Sequence, residues 1–271
     1  MVSDLLATAV VAGLALACAV PLAWKWQLGV ARVAAMLIVI AALATLVLSP
    51  SDLSPVAAVA AAWGLTLAAA FAILTYRFYR DPERTPPSED VVVSPADGTI
   101  VYVRRYAGGR MPISTKRGRD YPLNELTRAP LTSTEGHVIG IGMSFLDVHV
   151  NRSPIAGRVV LRRHFPGLFG SLRDPEMVFR NERATTLIKR GPLEIAVVQI
   201  ASRLVRQIVG FVQDGDQVAL GQRIGVIRLG SQVDVVMPGD LVDVIVQPGQ
   251  RVRAGESSLA TIRQAGSGGE S

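Results

Sequence analysis

The stretch at 224–240 reads IGVIRLGSQVDVVMPGD, with two short runs rich in Val and Ile on either side of Gly230-Ser231. Each run has the length and composition of a buried β-strand. A glycine inside a strand weakens it, and usually marks a bulge or a place where another group approaches the backbone closely. The stretch therefore predicts two strands joined by a Gly-Ser step that strand pairing does not explain.

The same pattern extends through residues 91–263. Short alternating apolar runs, such as VVVSPADGTIVYV and HVIGIGMSFLDVHV, are separated by Gly, Pro and Asp. This spacing predicts a mainly β domain, either a barrel or a sandwich. Two similar segments, VQDGDQVALGQRIG from Val212 and VQPGQRVRAGESSLA from Val246, have the turn-strand-turn pattern of lipoyl-like hairpins.

The first third of the chain is different, because it consists of three apolar runs at 5–24, 33–48 and 56–74. No charged residue interrupts any of them. Their lengths approach the roughly 20 residues that a helix needs to cross a bilayer. We therefore expect three transmembrane helices rather than buried helices of a soluble core. Two spans with a third segment on the membrane surface is the alternative.

Basic residues beside these runs predict their orientation. Lys25 and Arg32 lie between the first two runs, and Arg77, Arg80 and Arg84 follow the third. Under the positive-inside rule, the N-terminus is outside and the β domain is on the cytoplasmic face of the cell membrane, the inner membrane where there are two. The predicted organisation is a membrane anchor at 1–80, a linker at 81–90, a β-rich catalytic domain at 91–263 and a disordered tail at 264–271.

Composition excludes several other classes. The single cysteine, Cys18, lies in the first apolar run, so the chain has neither an internal disulfide nor a thiolate metal cluster. The formal net charge of +6 favours an anionic lipid surface. Nucleic acid is not an expected partner, because the basic residues are scattered and are not interleaved with aromatic residues.

Three polar residues at strand ends are candidates for catalysis. Asp97, His149 and Ser231 could form an acid–base–nucleophile set, in which the acid orients the imidazole and the imidazole accepts the hydroxyl proton. Each also has an ordinary structural interpretation. A histidine at a strand end can be structural, Asp-Gly is a common turn, and a serine after glycine can belong to a bulge. Spacing alone does not decide between these readings.

Five motifs together resemble one known family, the phosphatidylserine decarboxylase proenzymes, and specifically their shorter class. The similarity covers roughly residues 78–249, and the motifs occur in the family's order. They are FYRDPERTPP, VVSPADGTI with Asp97, FLDVHVNRSPIAG with His149, FRNERA from Phe179, and IRLGSQVDVVMP with Gly230-Ser231.

The resemblance implies that the chain cleaves itself between Gly230 and Ser231. Ser231 would attack the carbonyl carbon of Gly230, while His149 accepts the serine proton and Asp97 holds His149 in the required tautomer. Elimination would then leave a pyruvoyl group at the new N-terminus. The products would be a β chain of residues 1–230 and an α chain of residues 231–271.

The resemblance also implies the reaction and its cofactor. The pyruvoyl group is covalent and is generated by the chain itself, with no metal. It would form a Schiff base with phosphatidylserine in the membrane and release CO2, which gives phosphatidylethanolamine. A homo-oligomer is compatible with the sequence.

Four further residues are candidates for supporting roles: Asp147, Asn181, Glu182 and Arg183. The longer class of the family has a second histidine near Asp147, where this chain has Phe145-Leu146-Asp147. Either His149 serves both reactions or Asp147 contributes as a proton donor. Asp147 can also be an ordinary turn or strand-end residue. The other three would brace the site or bind the head group, or else form a surface ion pair.

Two other functions are alternatives to this one. A membrane-tethered serine hydrolase would use Asp97, His149 and Ser231 on an external substrate, although the Gly-x-Ser-x-Gly elbow is absent around Ser231. A lipoyl-like binding or adaptor module would explain the hairpins. A lipoyl carrier needs a modifiable lysine, and no lysine follows Lys189.

Overall fold

Two units make up the chain in the computed structural model, which describes residues 2–25, 28–112, 120–172, 177–202, 207–227 and 232–263. The first unit contains Met1–Arg80 and Ser144–Leu146, and the second contains Asp81–Met143 and Asp147–Ser271. The predicted tail at 264–271 lies outside the described residues, as do Gly230 and Ser231.

Three long helices form most of the first unit: α1 (Val2–Lys25), α2 (Val30–Leu48) and α3 (Pro55–Tyr79). Helix α3 begins where the Ser54 side chain accepts a hydrogen bond from the Ala57 amide and where Pro55 occupies the first turn. It ends at Arg80, whose backbone is extended. Pro82 follows Asp81, and a residue before proline is disfavoured in a helix.

Small side chains join the three helices. Val11, Ala12, Ala41, Ala44 and Ala62 form their buried cluster. Many larger apolar side chains, including Leu and Phe, point outward and are exposed. Small residues between helices and large apolar residues outside are typical of membrane helices, because lipid rather than a protein core covers the outer surface.

The predicted three apolar helices are confirmed. Within the described residues, three segments are long and apolar enough to cross a membrane: Leu5–Trp24, Val30–Leu48 and Pro55–Tyr79. Their length and composition indicate membrane association.

The second unit is mainly β, as predicted. The described residues contain sixteen strands and two short helices, listed here in chain order. They are β1 (Val91–Val93), β2 (Gly98–Tyr106), β3 (Arg110–Pro112), β4 (Asp120–Pro122), α4 (Leu123–Thr127), β5 (Gly136–Gly142), β6 (Val150–Arg152), β7 (Gly157–Phe165), α5 (Met177–Arg180), β8 (Arg183–Arg190), β9 (Leu193–Ile200), β10 (Ile208–Gly210), β11 (Gln217–Val218), β12 (Arg223–Ile227), β13 (Gln232–Pro238), β14 (Val242–Val244), β15 (Arg251–Val252) and β16 (Ser258–Ile262).

Eight of the described strands form one curled antiparallel sheet in the order β11-β7-β8-β9-β13-β5-β2-β15. Strand β13 pairs along its length with β5 on one side and with β9 on the other. It is buried at every position, which explains why its sequence is nearly continuous in apolar residues. Strand β13 is therefore an internal strand of this sheet.

The large sheet has a hydrophobic core on each face. One face packs against the smaller sheets β1-β16-β14 and β10-β12-β6, and residues such as Ile141, Ile224 and Val235 form this core. The other face is covered by α4, α5 and neighbouring loops, with Leu126 and Phe179 among the buried residues. Both faces of β13 are thus protected from water, and any polar side chain on it needs a buried partner.

Candidate active site

His149 lies directly before β6 and is almost fully buried. Its backbone carbonyl accepts a hydrogen bond of 3.1 Å from the amide of Ile227, the last residue of β12. Residues 228–231 follow, and Gln232 then begins β13. The predicted cleavage site, Gly230-Ser231, is in this connection and lies outside the described residues. His149 therefore pairs with the strand end that leads into the cleavage segment.

Asp97 lies in the turn before β2 and is also buried. Its Oδ1 accepts a 2.8 Å hydrogen bond from the Ala254 amide, and its Oδ2 accepts a 3.0 Å bond from Arg84 Nη2. Position 98, directly after Asp97, has no room for a side chain. A Cβ on Gly98 would lie 2.4 Å from the carbonyl oxygen of Gly142. The Asp-Gly pair thus allows β2 to approach β5 closely.

The loop that carries Asp97 packs on the strand that follows His149. The Pro95 carbonyl accepts hydrogen bonds from the Arg152 amide at 2.9 Å and from Asn151 Nδ2 at 3.3 Å. Both donors belong to β6. The loop of Asp97 and the strand that follows His149 are therefore held together by backbone and amide contacts, although 52 residues separate Asp97 from His149 in sequence.

The three predicted catalytic residues differ in how far the structure locates them. Asp97 and His149 are on neighbouring segments, whereas Ser231 is not described. Among the described residues, the Asp97 carboxylate is bonded to Arg84 and the Ala254 amide and makes no direct hydrogen bond to His149. A carboxylate has about four acceptor positions, so these two bonds leave it able to accept another.

Asp147 is two residues before His149 and is buried. Its Oδ1 accepts a 2.6 Å hydrogen bond from Arg251 Nη2, whose side chain is largely exposed. Arg251 is on β15, where it pairs with Thr99 of β2. Asp147 is thus held by an ion pair at the edge of the sheet, and its role as a proton donor stays a prediction.

Asn181 and Glu182 connect separate segments of backbone. Asn181 Nδ2 donates to the carbonyls of Gly170 and Ala201, each at 2.9 Å, and its Oδ1 accepts from the Gly170 amide at 2.7 Å. Glu182 is 2.8 Å from Nε2 of the half-exposed His164. Asn181 therefore acts as a brace between two loops, and Glu182 pairs near the surface.

Arg183 is fully buried, which is unusual for this side chain. Its Nη1 donates to the carbonyls of Glu125 at 2.7 Å and Leu126 at 3.1 Å. Burial lowers the pKa of Arg183 to about 10, and the charge of Arg128 acts in the same direction. These bonds attach α4 to β8, so the contacts of Arg183 are structural ones.

Sequence reasoning missed a buried polar cluster formed by Tyr102, Gln232 and Asp234, of which Gln232 directly follows Ser231 in the chain. The Tyr102 hydroxyl donates to Asp234 Oδ2 at 2.7 Å. Gln232 Nε2 donates to Asp234 Oδ1 at 2.7 Å and to the Tyr102 oxygen at 2.9 Å. Tyr102 reaches Asp234 over Gly140, where a Cβ would lie 2.5 Å from the phenol ring.

Burial changes the acidity of this polar cluster. It raises the pKa of Asp234 to about 6, while hydrogen bonds from Tyr102 and Gln232 oppose the shift. It also raises the pKa of Tyr102 well above its usual value, and the neighbouring Asp234 charge adds to the effect. The signal in the sequence was Gln232 and Asp234, which share one face of an otherwise apolar strand.

A cavity of about 150 Å³ lies next to the polar cluster. Arg104 contributes to its wall, with the guanidinium carbon 4.2 Å from the centroid of the Tyr102 ring. The lining residues are Val101, Tyr102, Arg104, Met111, Leu172, Val178, Phe179 and Gln232. Within the described ranges, no group of three or more His, Cys, Asp or Glu side chains is arranged to hold a metal ion.

Comparison with known proteins identifies the family of the chain. The family model described as phosphatidylserine decarboxylase matches residues 71–260 of the chain. The chain belongs to the phosphatidylserine decarboxylase family. The match begins within α3 and continues into β16, so it includes Asp97, His149 and the predicted cleavage site Gly230-Ser231. The resemblance predicted from the five motifs is confirmed.

Relatives in the phosphatidylserine decarboxylase family come from archaea and bacteria. A protein of Methanocaldococcus jannaschii, named "Putative archaetidylserine decarboxylase proenzyme", is 40% identical over 194 residues, covering 70% of this chain and 91% of the relative. A "Phosphatidylserine decarboxylase proenzyme" of Symbiobacterium thermophilum is 37% identical over 210 residues, covering 74% of this chain and 86% of the relative. A "Phosphatidylserine decarboxylase proenzyme" of Novosphingobium aromaticivorans is 38% identical over 190 residues, covering 69% of this chain and 72% of the relative.

Proposed function

We propose that this chain is a self-cleaving phosphatidylserine decarboxylase that generates a pyruvoyl group from Ser231. The observation that carries the proposal is the hydrogen bond between the Ile227 amide and the His149 carbonyl. It ties the histidine to the strand that leads into Gly230-Ser231. Family membership supports the decarboxylase activity, and the relatives' names describe proenzymes, which fits a chain that is processed.

Self-cleavage begins at the Ser231 hydroxyl. Its Oγ attacks the carbonyl carbon of Gly230, while His149 accepts the hydroxyl proton and returns it to the departing Ser231 nitrogen. The amide thereby becomes an ester. Loss of the Ser231 α-proton and departure of the Gly230 carboxylate break the Cβ–O bond and leave dehydroalanine. After tautomerisation to the imine, one water adds and ammonia leaves, which gives the pyruvoyl group.

The residues of this chain fit such a group. The segment that carries Ser231 joins β12 to β13. Three buried acid–base side chains, Asp97, Asp147 and His149, lie in the segments that precede β2 and β6, and the bond from the Arg152 amide to the Pro95 carbonyl joins the first of those segments to β6. The pyruvoyl ketone supplies a Schiff-base partner for the substrate amine and an electron sink for the loss of CO2. The substrate is phosphatidylserine, and the product is phosphatidylethanolamine.

The two fragments are expected to stay together after cleavage. Strand β13 belongs to the α chain, and it pairs with β5 and β9, which both belong to the β chain. Strand β15 pairs with β2, and β16 pairs with β1, in the same way. Separating the fragments would therefore expose buried apolar surface and break an internal strand out of the sheet.

Intact-mass spectrometry of the purified protein tests this proposal. Under denaturing conditions we expect chains of residues 1–230 and 231–271, with the second lighter by the mass of ammonia than a chain beginning with serine. Under native conditions the two fragments should elute together. An undivided chain of 28.9 kDa would overturn the proposal, and a free N-terminal serine would indicate proteolysis instead.

We also propose that the β domain faces the cytoplasm. Lys25 and Arg32 flank the connection between α1 and α2, and Arg77 and Arg80 follow the apolar part of α3, whereas the connection between α2 and α3 has no basic residue. A C-terminal fusion to a fluorescent protein that folds only in the cytoplasm should be bright. Activity of a C-terminal alkaline phosphatase fusion, which needs the outer face, would contradict this orientation.

A further inference from the structure

Asp97 is held by a residue from the segment directly after α3. Arg84 donates through Nη2 to Asp97 Oδ2 at 3.0 Å and through Nη1 to the Ala254 carbonyl at 3.3 Å. The Ala254 amide donates to Asp97 Oδ1 at 2.8 Å. These three bonds close a ring in which each oxygen of the carboxylate has its own donor. The position and rotation of the Asp97 carboxylate are therefore fixed from two sides.

The pair between Arg84 and Asp97 is a buried one. The side chains are 5% and 10% exposed. A buried ion pair of this kind is sensitive to loss of one partner, because the remaining charge lacks both water and a counter-charge. Arg84 is also 3.6 Å from Glu256, but that carboxylate is 35% exposed and more accessible to water.

The backbone that carries Arg84 is itself anchored. Asp81 accepts a 3.0 Å bond from Arg152 of β6 and a second bond from Arg223 of β12. Arg152 also donates to the Pro82 carbonyl at 2.9 Å, and Glu83 pairs with Arg223 at 2.8 Å. Strand β6 begins directly after His149, and β12 leads into the cleavage segment. The segment 81–84 is thus bonded to both strands and to the acid.

We propose that Arg84 is a positioning residue for Asp97 in self-cleavage. This inference rests on the function proposed above, and it assigns a role to the RDPER motif at 80–84. Arg84 acts through Asp97 and not on the reacting atoms. With the carboxylate held in place, Asp97 presents a fixed acceptor to the base that takes the Ser231 proton.

Three substitutions separate positioning from packing. Arg84→Met keeps the length of the side chain and removes the charge and the donors. Arg84→Lys keeps the charge and donors but lacks the planar fork that reaches both Asp97 and Ala254. Glu256→Gln removes the other ion pair of Arg84 and leaves its contact with Asp97. It serves as the matched control.

The measurement is the rate of self-cleavage of the full-length chain after pulse labelling in cell-free translation with phospholipid vesicles. We expect Arg84→Met to cleave about 10²-fold more slowly than the wild type, because displacement of a catalytic group by about 1 Å has an effect of this size. Arg84→Lys should be intermediate, and Glu256→Gln should be unchanged. Added guanidinium ion should accelerate Arg84→Met more than the same concentration of sodium chloride.

Three other results would contradict the positioning role of Arg84. If Arg84→Met cleaves like the wild type, or faster than Arg84→Lys, the positioning role is wrong while the proposed function stands. If the Arg84 variants lose the protease resistance of the wild-type domain, Arg84 is a folding residue and the inference is also wrong. If the wild-type chain never cleaves, the proposed function fails and this inference fails with it.

Discussion

Ser231→Ala is expected to leave the chain whole at 28.9 kDa and without decarboxylase activity. His149→Gln is expected to slow self-cleavage about 10²–10⁴-fold, the usual contribution of a positioned general base. The two effects differ in kind. Alanine removes the nucleophile and the only source of the pyruvoyl group, whereas glutamine keeps the nucleophile and removes the base. Band intensities on a denaturing gel, followed over time after synthesis, measure both.

The chain offers a matched control in His137. It lies on β5, where it pairs with Met237, five residues beyond Gln232 on β13. At about 3.4 Å per residue, that is roughly 17 Å along the strand from the cleavage segment. His137→Gln should therefore cleave at the wild-type rate. Wild-type cleavage by His149→Gln would remove this residue from the mechanism, and a short chain from Ser231→Ala would point to an external protease.

The helices and the β character of the chain were readable from sequence because both depend on local patterns. The apolar run at 56–74 predicted a helix, and the structure extends it to Tyr79. The added turn contains Arg77 and Tyr79, which a search for apolar residues leaves out. The helix ends at Arg80, whose backbone is extended, two residues before Pro82. Local chemistry thus predicted that the helix exists but not where it ends.

The pairing of the strands could not be predicted from local sequence patterns in the same way. The nearly continuous apolar sequence of β13 indicates that the strand is buried, but it does not show that β5 and β9 flank it, since those strands lie far away in sequence. The bond between Tyr102 and Asp234 depends on this register, because Gly140 must lie between them. The two short helices α4 and α5 have five and four residues, too few for a periodic pattern.

For the candidate site, the sequence suggested candidate residues but not the contacts that they make. Asp97 and His149 were candidates because they are polar residues at predicted strand ends, and the family resemblance implied their roles. The structure places them on segments that are hydrogen-bonded to each other. Arg84 was in a quoted motif, yet its contact with Asp97 could not be inferred. The segment that carries Arg84 is bonded through Asp81 to Arg152 and Arg223, which are distant in sequence.

The second large effect is expected at Asp234, and it concerns the pH dependence of stability. Asp234 is fully buried, and its pKa of about 6 in the folded chain lies above the ordinary value of 3.8. Between these two values, the folded chain holds a proton that the unfolded chain has lost. The stabilising contribution is therefore complete below about pH 4 and is lost as pH rises through about 6. A difference of about two pKa units corresponds to roughly 3 kcal/mol in the free energy of unfolding.

Asp234→Asn isolates this contribution because an amide does not titrate. The loss of stability caused by the substitution should be larger at pH 4 than at pH 7, by roughly 2 kcal/mol, because the unfolded carboxyl is already partly ionised at pH 4. We would measure urea unfolding by circular dichroism in detergent, with every protein carrying Ser231→Ala so that the chain stays whole. Using one background also keeps other titrating groups the same, so that they cancel between the two proteins.

Asp243 provides a control of opposite sign. Arg263 donates to this exposed carboxylate at 2.5 and 3.0 Å and lowers its pKa. Its stabilising contribution should therefore be present at neutral pH and be lost as pH falls. Asp243→Asn should reduce the free energy of unfolding less at pH 4 than at pH 7. If the effect of Asp234→Asn were the same at both pH values, Asp234 would keep one charge state throughout. The raised pKa of Asp234 would then be wrong.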